Sequence, residues 1–156
     1  MYSTNPENAF SLSSYYSKRE INSQIWNLTI PEGDTYTAKA LDYSLQYFGA
    51  AHGGRKDVPQ ILMVITDGEA HDHDNLAAPS KALRDNGVQV FAIGVEGAKM
   101  GELETMTGKD QSKIFYVNDF KALESLYSNI SLVLCNTTKP GNVQAYNICF
   151  CVCFLE

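Results

Sequence analysis

The sequence predicts an α/β fold: a doubly wound, mainly parallel sheet with helices on both faces. Residues 60–66, Gln-Ile-Leu-Met-Val-Ile-Thr, form an apolar run that stops at Asp67-Gly68-Glu69, as a strand buried on both faces requires. A second run of this kind, residues 88–95, follows about one helix later. Strand and helix patterns alternate around these two, which implies parallel pairing and right-handed crossovers.

The elements follow in order. Residues 9–14, with Phe10 and Leu12 on one side, suit a short strand. Ser17-Lys18-Arg19-Glu20 is a capping box that opens a helix, and Ile21, Ile25 and Leu28 are spaced for its buried side. After the Pro31-Glu32-Gly33-Asp34 turn, Ala38, Leu41, Leu45 and Phe48 predict a helix from about residue 37 to 47. Residues 52–57 read as a surface loop before the first buried strand. A helix over 76–86 stops at Gly87, a residue type common just past helix ends. The strand 88–95, a short helix 101–107 and a strand 113–117 come next. The closing helix, 119–134, has Phe120, Leu123, Leu126, Tyr127 and Ile130 as its apolar side. Lys139-Pro140-Gly141 marks the end of the domain, so residues 1–138 are expected to form it and residues 139–156 to be a cysteine-rich tail outside the fold.

Composition bounds the function. The chain has 156 residues, 44% hydrophobic and 19% charged, which suits one domain with a real core. A net charge of -6 with scattered Lys and Arg leaves no footprint for nucleic acid or an anionic membrane. No run approaches the roughly 20 apolar residues of a membrane span, and the polar start Met1-Tyr2-Ser3-Thr4 cannot serve as a secretory signal. Three sequons, at Asn27, Asn129 and Asn136, are glycosylation candidates and point to an extracellular parent. Cys135 stands near the end of the last helix, whereas Cys149, Cys151 and Cys153 crowd the tail. Cysteines two apart in a strand face opposite ways, and no second cluster completes a zinc site.

Asp67 is the first polar side chain beyond the buried strand, and open α/β sheets bind ligands at that end. His71-Asp72-His73-Asp74 invites an enzymatic alternative, a metal-dependent hydrolase with Asp67 as a further ligand. Adjacent loop side chains diverge, however, and there is no His-Glu-x-x-His helix, so a solvated acidic loop is favoured over catalysis. No nucleophile elbow, Walker loop or dinucleotide-binding glycine motif occurs.

Residues 33–41, Gly-Asp-Thr-Tyr-Thr-Ala-Lys-Ala-Leu, followed by a helix and then by residues 61–69, resemble successive parts of a von Willebrand factor type A domain. Residues 87–95 and 115–123 resemble the family's next strand and its last strand leading into the closing helix. Tyr2-Ser3 and Phe10-Ser11-Leu12 are similar to the end of its second strand and to its third. The likeness spans residues 2–138 and is nearest to the matrilin and collagen VI type of extracellular matrix protein.

That resemblance implies a Rossmann-like fold with strand order 3-2-1-4-5-6 and a metal-ion-dependent adhesion site at the strand ends. By position, Thr35 corresponds to the second-loop ligand and Asp67 to the third-loop carboxylate, for Mg2+ or another divalent cation. The first loop, Asp-x-Ser-x-Ser, has no counterpart before Thr35. The resemblance therefore implies an N-terminally truncated domain without the first strand, first helix and first metal loop, binding cation weakly or not at all. It implies a secreted, extracellular matrix interaction module for matrix proteins, collagens among them, and no enzymatic activity. It also makes Cys135 a disulfide candidate, as in the family's domain-closing pairs. Without the first strand, the 60–66 strand has an open edge, an aggregation hazard unless another segment or a partner covers it.

Overall fold

The computed structural model describes residues 1–29, 31–137 and 147–152, with backbone alone for 134–137 and 147–152. Five α-helices are described: α1 Lys18–Trp26, α2 Thr37–Leu45, α3 Ala77–Asp85, α4 Met100–Thr107 and α5 Leu123–Thr137. Four strands join them: β1 Gln60–Thr66, β2 Val88–Val95, β3 Ile114–Val117 and β4 Asn147–Val152.

All pairings are parallel, in the order β3-β2-β1-β4. The register of β1 on β2 runs from Gln60 opposite Val88 to Thr66 opposite Gly94. Because strand side chains alternate, β1 feeds two cores. Leu62 and Val64 pack with Val88, Val90 and Ala92 against Leu41 of α2, Leu83 of α3 and Leu103 and Met106 of α4. Ile61 and Met63 pack with Phe91 and Ile93 on the other face, where α5 contributes Leu123, Leu126, Ile130 and Val133. Each fully buried side chain of this size contributes about 1.5–3 kcal/mol. The helices thus cover both faces, as the apolar runs predict.

Helix ends follow local chemistry. Ser17 and Glu20 form the predicted capping box of α1, each receiving the other's backbone N–H. After α3, Gly87 takes φ +80 and turns the chain straight into β2.

Four expectations differ from the structure. Residues 9–14 are not a strand: Ser11 N–H donates to Ser14 Oγ at 2.9 Å and Ser14 N–H to Ser11 O at 3.0 Å. These short-range bonds satisfy the backbone in a turn, which a strand of so few residues without a neighbour cannot outcompete. Tyr2 likewise makes only an isolated antiparallel bridge, to Pro6, although its side chain is fully buried.

The second difference is α1, which forms where predicted but buries nothing. Ile25 is 50% and Trp26 87% exposed, and neither core contains an α1 residue. Its cap is local chemistry, whereas burial needs a neighbour. Third, of the expected apolar side of the closing helix, Leu123, Leu126 and Ile130 pack as expected, but Tyr127 is exposed, as is Phe120, which lies in a 3-10 turn before α5.

The fourth concerns the tail. Residues 147–152 are β4, running parallel to β1 with Gln60 opposite Asn147 and Ile65 opposite Val152. Expected to stand outside the fold, this segment lies along the edge of β1 that the resemblance leaves open. An apolar edge strand with free N–H and C=O groups is satisfied by any apolar segment of the chain that reaches it. Cys149 and Cys151 are thereby placed on a strand; Cys153 lies outside the described residues.

Candidate functional site

The carboxyl end of β1 leads into Asp67, which is half-buried, with its Oδ1 shielded from solvent. Gly97, beyond β2, lies so close that a Cβ there would fall 2.7 Å from the Asp67 carbonyl oxygen. Thr66 Oγ1 donates to Gly68 O at 3.4 Å and steadies the turn.

The second loop is held from the amino-terminal side. Gly33 has φ +126, and a Cβ on it would meet Thr4 Oγ1 at 2.5 Å. That hydroxyl accepts the Asp34 N–H at 3.0 Å, and Ser3 O accepts the Tyr36 N–H at 3.1 Å. Thr35, between them, is fully buried.

The second and third loops lock together through His71. Its backbone N–H donates to Thr35 O at 2.8 Å, and its Nδ1 accepts the Thr35 N–H at 3.1 Å. An Nδ1 that accepts a backbone proton leaves the imidazole proton on Nε2, which lies 3.5 Å from Asp34 Oδ1. The ring stacks on Tyr36 with centroids 5.9 Å apart. Thr35 is thus tied to the segment that follows Asp67.

The four residues 71–74 do not converge on one point. Asp72 turns to α2, accepting the Ala38 N–H at 3.0 Å and the Lys39 N–H at 2.9 Å. The α2 N-cap residue, Tyr36, makes no side-chain cap bond, so Asp72 caps that helix from a distant loop. His73 points elsewhere, with Nδ1 3.1 Å from Ala70 O and Nε2 3.3 Å from Asp74 Oδ1. The donor cluster imagined for a hydrolase is therefore dispersed among three different tasks.

A different grouping arises that spacing along the chain does not reveal. Donor atoms of Glu69, His73 and Glu102 lie within 4.8 Å of one another. The Glu102 carboxylate accepts the Ala70 N–H at 3.2 and 3.1 Å through its two oxygens. Burial pushes the Glu102 carboxyl above its usual range; the Ala70 hydrogen bond opposes this, and the nearby Glu69 charge adds to it. Lys99 Nζ stands 3.5 Å from Glu69 Oε2.

Of the modification candidates, Asn27 closes α1 and Asn129 lies on α5, both exposed. Asn136 and Cys135 fall in the last turns of α5.

A parallel sheet covered on both faces, with loops beyond the carboxyl ends of its strands, defines an open α/β domain, a class in which ligands generally bind beyond those ends. The model of the von Willebrand factor type A domain family matches residues 1–129. The collagen alpha-6(VI) chain of Homo sapiens is 44% identical over 140 residues, 88% of this chain and 6% of that one. The collagen alpha-1(XII) chain of Oryctolagus cuniculus is 34% identical over 131 residues, 82% of this chain and 20% of that one. The structure of proximal thread matrix protein 1 from the mussel byssus, with a zinc-occupied MIDAS motif, superimposes with TM-score 0.80 at 25% identity, covering 86% of this chain and 35% of that one. The chain belongs to the von Willebrand factor type A domain family. Within it, the chain is of the collagen VI type, and it spans a small fraction of the collagen chains it is similar to.

Proposed function

We propose that this domain is an extracellular matrix interaction module that binds matrix proteins, collagens among them, and that it does so with little dependence on a divalent cation. The observation that carries the reading is the Thr35–His71 lock, which sets two family loops at the strand ends of a domain similar to those of collagen VI.

The donor chemistry bears on the cation. Thr35 and Asp67 offer a hydroxyl and a carboxylate, hard oxygens of the kind Mg2+ takes. They fill about two of six octahedral positions, and no Asp-x-Ser-x-Ser run occurs in the 156 residues to supply more. When bound, a cation would add an electrophilic point for an acidic group of the partner. With two protein ligands its hold is weak, and recognition falls to the loops themselves.

Three further assignments belong to the same reading. The domain proper is residues 1–138, with β4 as an accessory strand. Asn27, Asn129 and Asn136 carry glycans in a secreted parent. Cys135 pairs with a cysteine elsewhere in that parent. Collagen VI and XII chains, to which the domain is similar, are matrix proteins.

Surface plasmon resonance of the full chain over immobilised collagens, in EDTA and then in Mg2+, tests the proposal. Saturable binding that changes less than about threefold between the two buffers is expected, and Asp67→Ala should leave it largely intact. Absence of binding to every matrix protein tried would overturn the module reading. Binding that collapses in EDTA and in Asp67→Ala would instead show a working adhesion site and overturn the cation-independent part.

A further inference from the structure

We propose that Glu69, His73 and Glu102 form a second cation site, one that takes a borderline transition metal such as zinc and uses neither Thr35 nor Asp67. The three donors come from separate places, the loop after β1 and the first turn of α4, and the fold brings them within 4.8 Å of one another. Zinc binds nitrogen and carboxylate oxygen at about 2.0–2.2 Å, which sets tetrahedral ligands about 3.4 Å apart. Glu69 and His73 are exposed and can close that difference by rotation, while Glu102 is half-buried.

One residue, Ala70, positions two of the ligands. The Ala70 N–H donates to the Glu102 carboxylate, and the Ala70 carbonyl faces His73 Nδ1 at 3.1 Å. A carbonyl accepts only, so Nδ1 carries a proton, and Nε2, 3.3 Å from Asp74 Oδ1, turns from that carboxylate to take a metal. Support of this kind, an imidazole N–H on a backbone carbonyl and a carboxylate held by an N–H, is what orients metal ligands. Two carboxylates and a neutral imidazole balance a divalent ion. Lys99, beside Glu69, offers partial compensation otherwise. The imidazole selects against Mg2+, which prefers oxygen, and toward zinc and its neighbours. Water completes the tetrahedron, making this an open site.

Isothermal titration of the EDTA-stripped full chain with zinc chloride, and visible spectra with cobalt(II), test the site. The expected result is one saturable zinc equivalent, weakened at least about tenfold in Glu102→Gln and in His73→Gln and unchanged in Asp67→Ala. Cobalt should give a tetrahedral absorption band without thiolate charge transfer, lost in His73→Gln, which excludes the tail cysteines as ligands. Circular dichroism confirms that each variant folds; should Glu102→Gln fail, the exposed pair His73→Gln and Glu69→Gln carries the test. The proposal is overturned by no saturable zinc binding, by binding that survives in His73→Gln and Glu69→Gln, by binding lost in Asp67→Ala, or by a thiolate cobalt spectrum.

Discussion

His71 and Thr35 hold each other by two hydrogen bonds, the His71 N–H on the Thr35 carbonyl at 2.8 Å and the Thr35 N–H on His71 Nδ1 at 3.1 Å. Thr35 is 0% exposed, so both bonds are shielded at its end. His71→Ala is expected to lower stability by about 1–3 kcal/mol, the cost of a buried N–H left without an acceptor. Urea unfolding measures it. A loss below about 0.5 kcal/mol would mean that the two loops are not coupled through this ring.

Asp72 offers a graded test of capping in trans. Its two oxygens each accept one N–H of the first turn of α2. Asp72→Ala is expected to cost about 1–2 kcal/mol, and Asp72→Asn less, because one acceptor oxygen remains while the charge facing the helix dipole is lost. Equal losses in denaturant midpoints for the two variants would argue against both contributions.

Gly33 should resist substitution. Its φ of +126 lies where L-residues are strained, and a Cβ would collide with Thr4 Oγ1 at 2.5 Å. Gly33→Ala is expected to cost about 1–3 kcal/mol, readable as a lowered thermal midpoint. Thr4→Ala frees the space and also removes the acceptor for Asp34 N–H. The double variant should therefore be less destabilised than the sum of the two single ones.

Glu102 makes stability depend on pH in a defined sense. Its carboxyl is raised above the ordinary value of 4.5, so the folded state holds its proton more tightly than the unfolded state does. The resulting stabilisation is fully present below 4.5 and is lost as the pH rises through the folded-state value. Glu102→Gln does not titrate, so its stability relative to the parent chain should improve between acid and neutral pH. Guanidinium midpoints at both pH values, in EDTA, decide it; a gap that moves the opposite way contradicts the burial argument.

Breaking the β4 ladder tests whether β1 needs that neighbour. In a parallel edge strand alternate residues bond the neighbour, so prolines at two successive positions break the ladder whichever phase it has. Cys149→Pro with Phe150→Pro, opposite Leu62 and Met63 of β1, should expose the β1 edge and shift the chain toward aggregates on size exclusion. An unchanged elution profile would show that β1 tolerates an open edge.

Much of the fold is legible locally. The runs at 60–66 and 88–95 announce strands buried on both faces because, Gln60 and Gln89 apart, every position is apolar or β-branched. The Ser17–Glu20 box announces a helix start because its reciprocal bonds lie within one turn. Thr35 and Asp67 stand out by their places in family motifs. Asp72 does not, since it caps a helix through Ala38, 34 residues earlier, and neither does Glu102, which meets Ala70 across 32.

What the sequence by itself determined is the two central strands, the helices that cover them, and the family. Hydrophobic periodicity and capping are short-range and act before the chain meets itself. The tertiary structure alone decided that α1 buries nothing, that the residue 9–14 segment turns instead of pairing, and that residues 147–152 lie against β1. It also decided which of four adjacent polar residues faces a backbone, a helix end or two glutamates. Burial, ladder pairing and donor convergence each require a partner distant in sequence, and no local pattern names that partner.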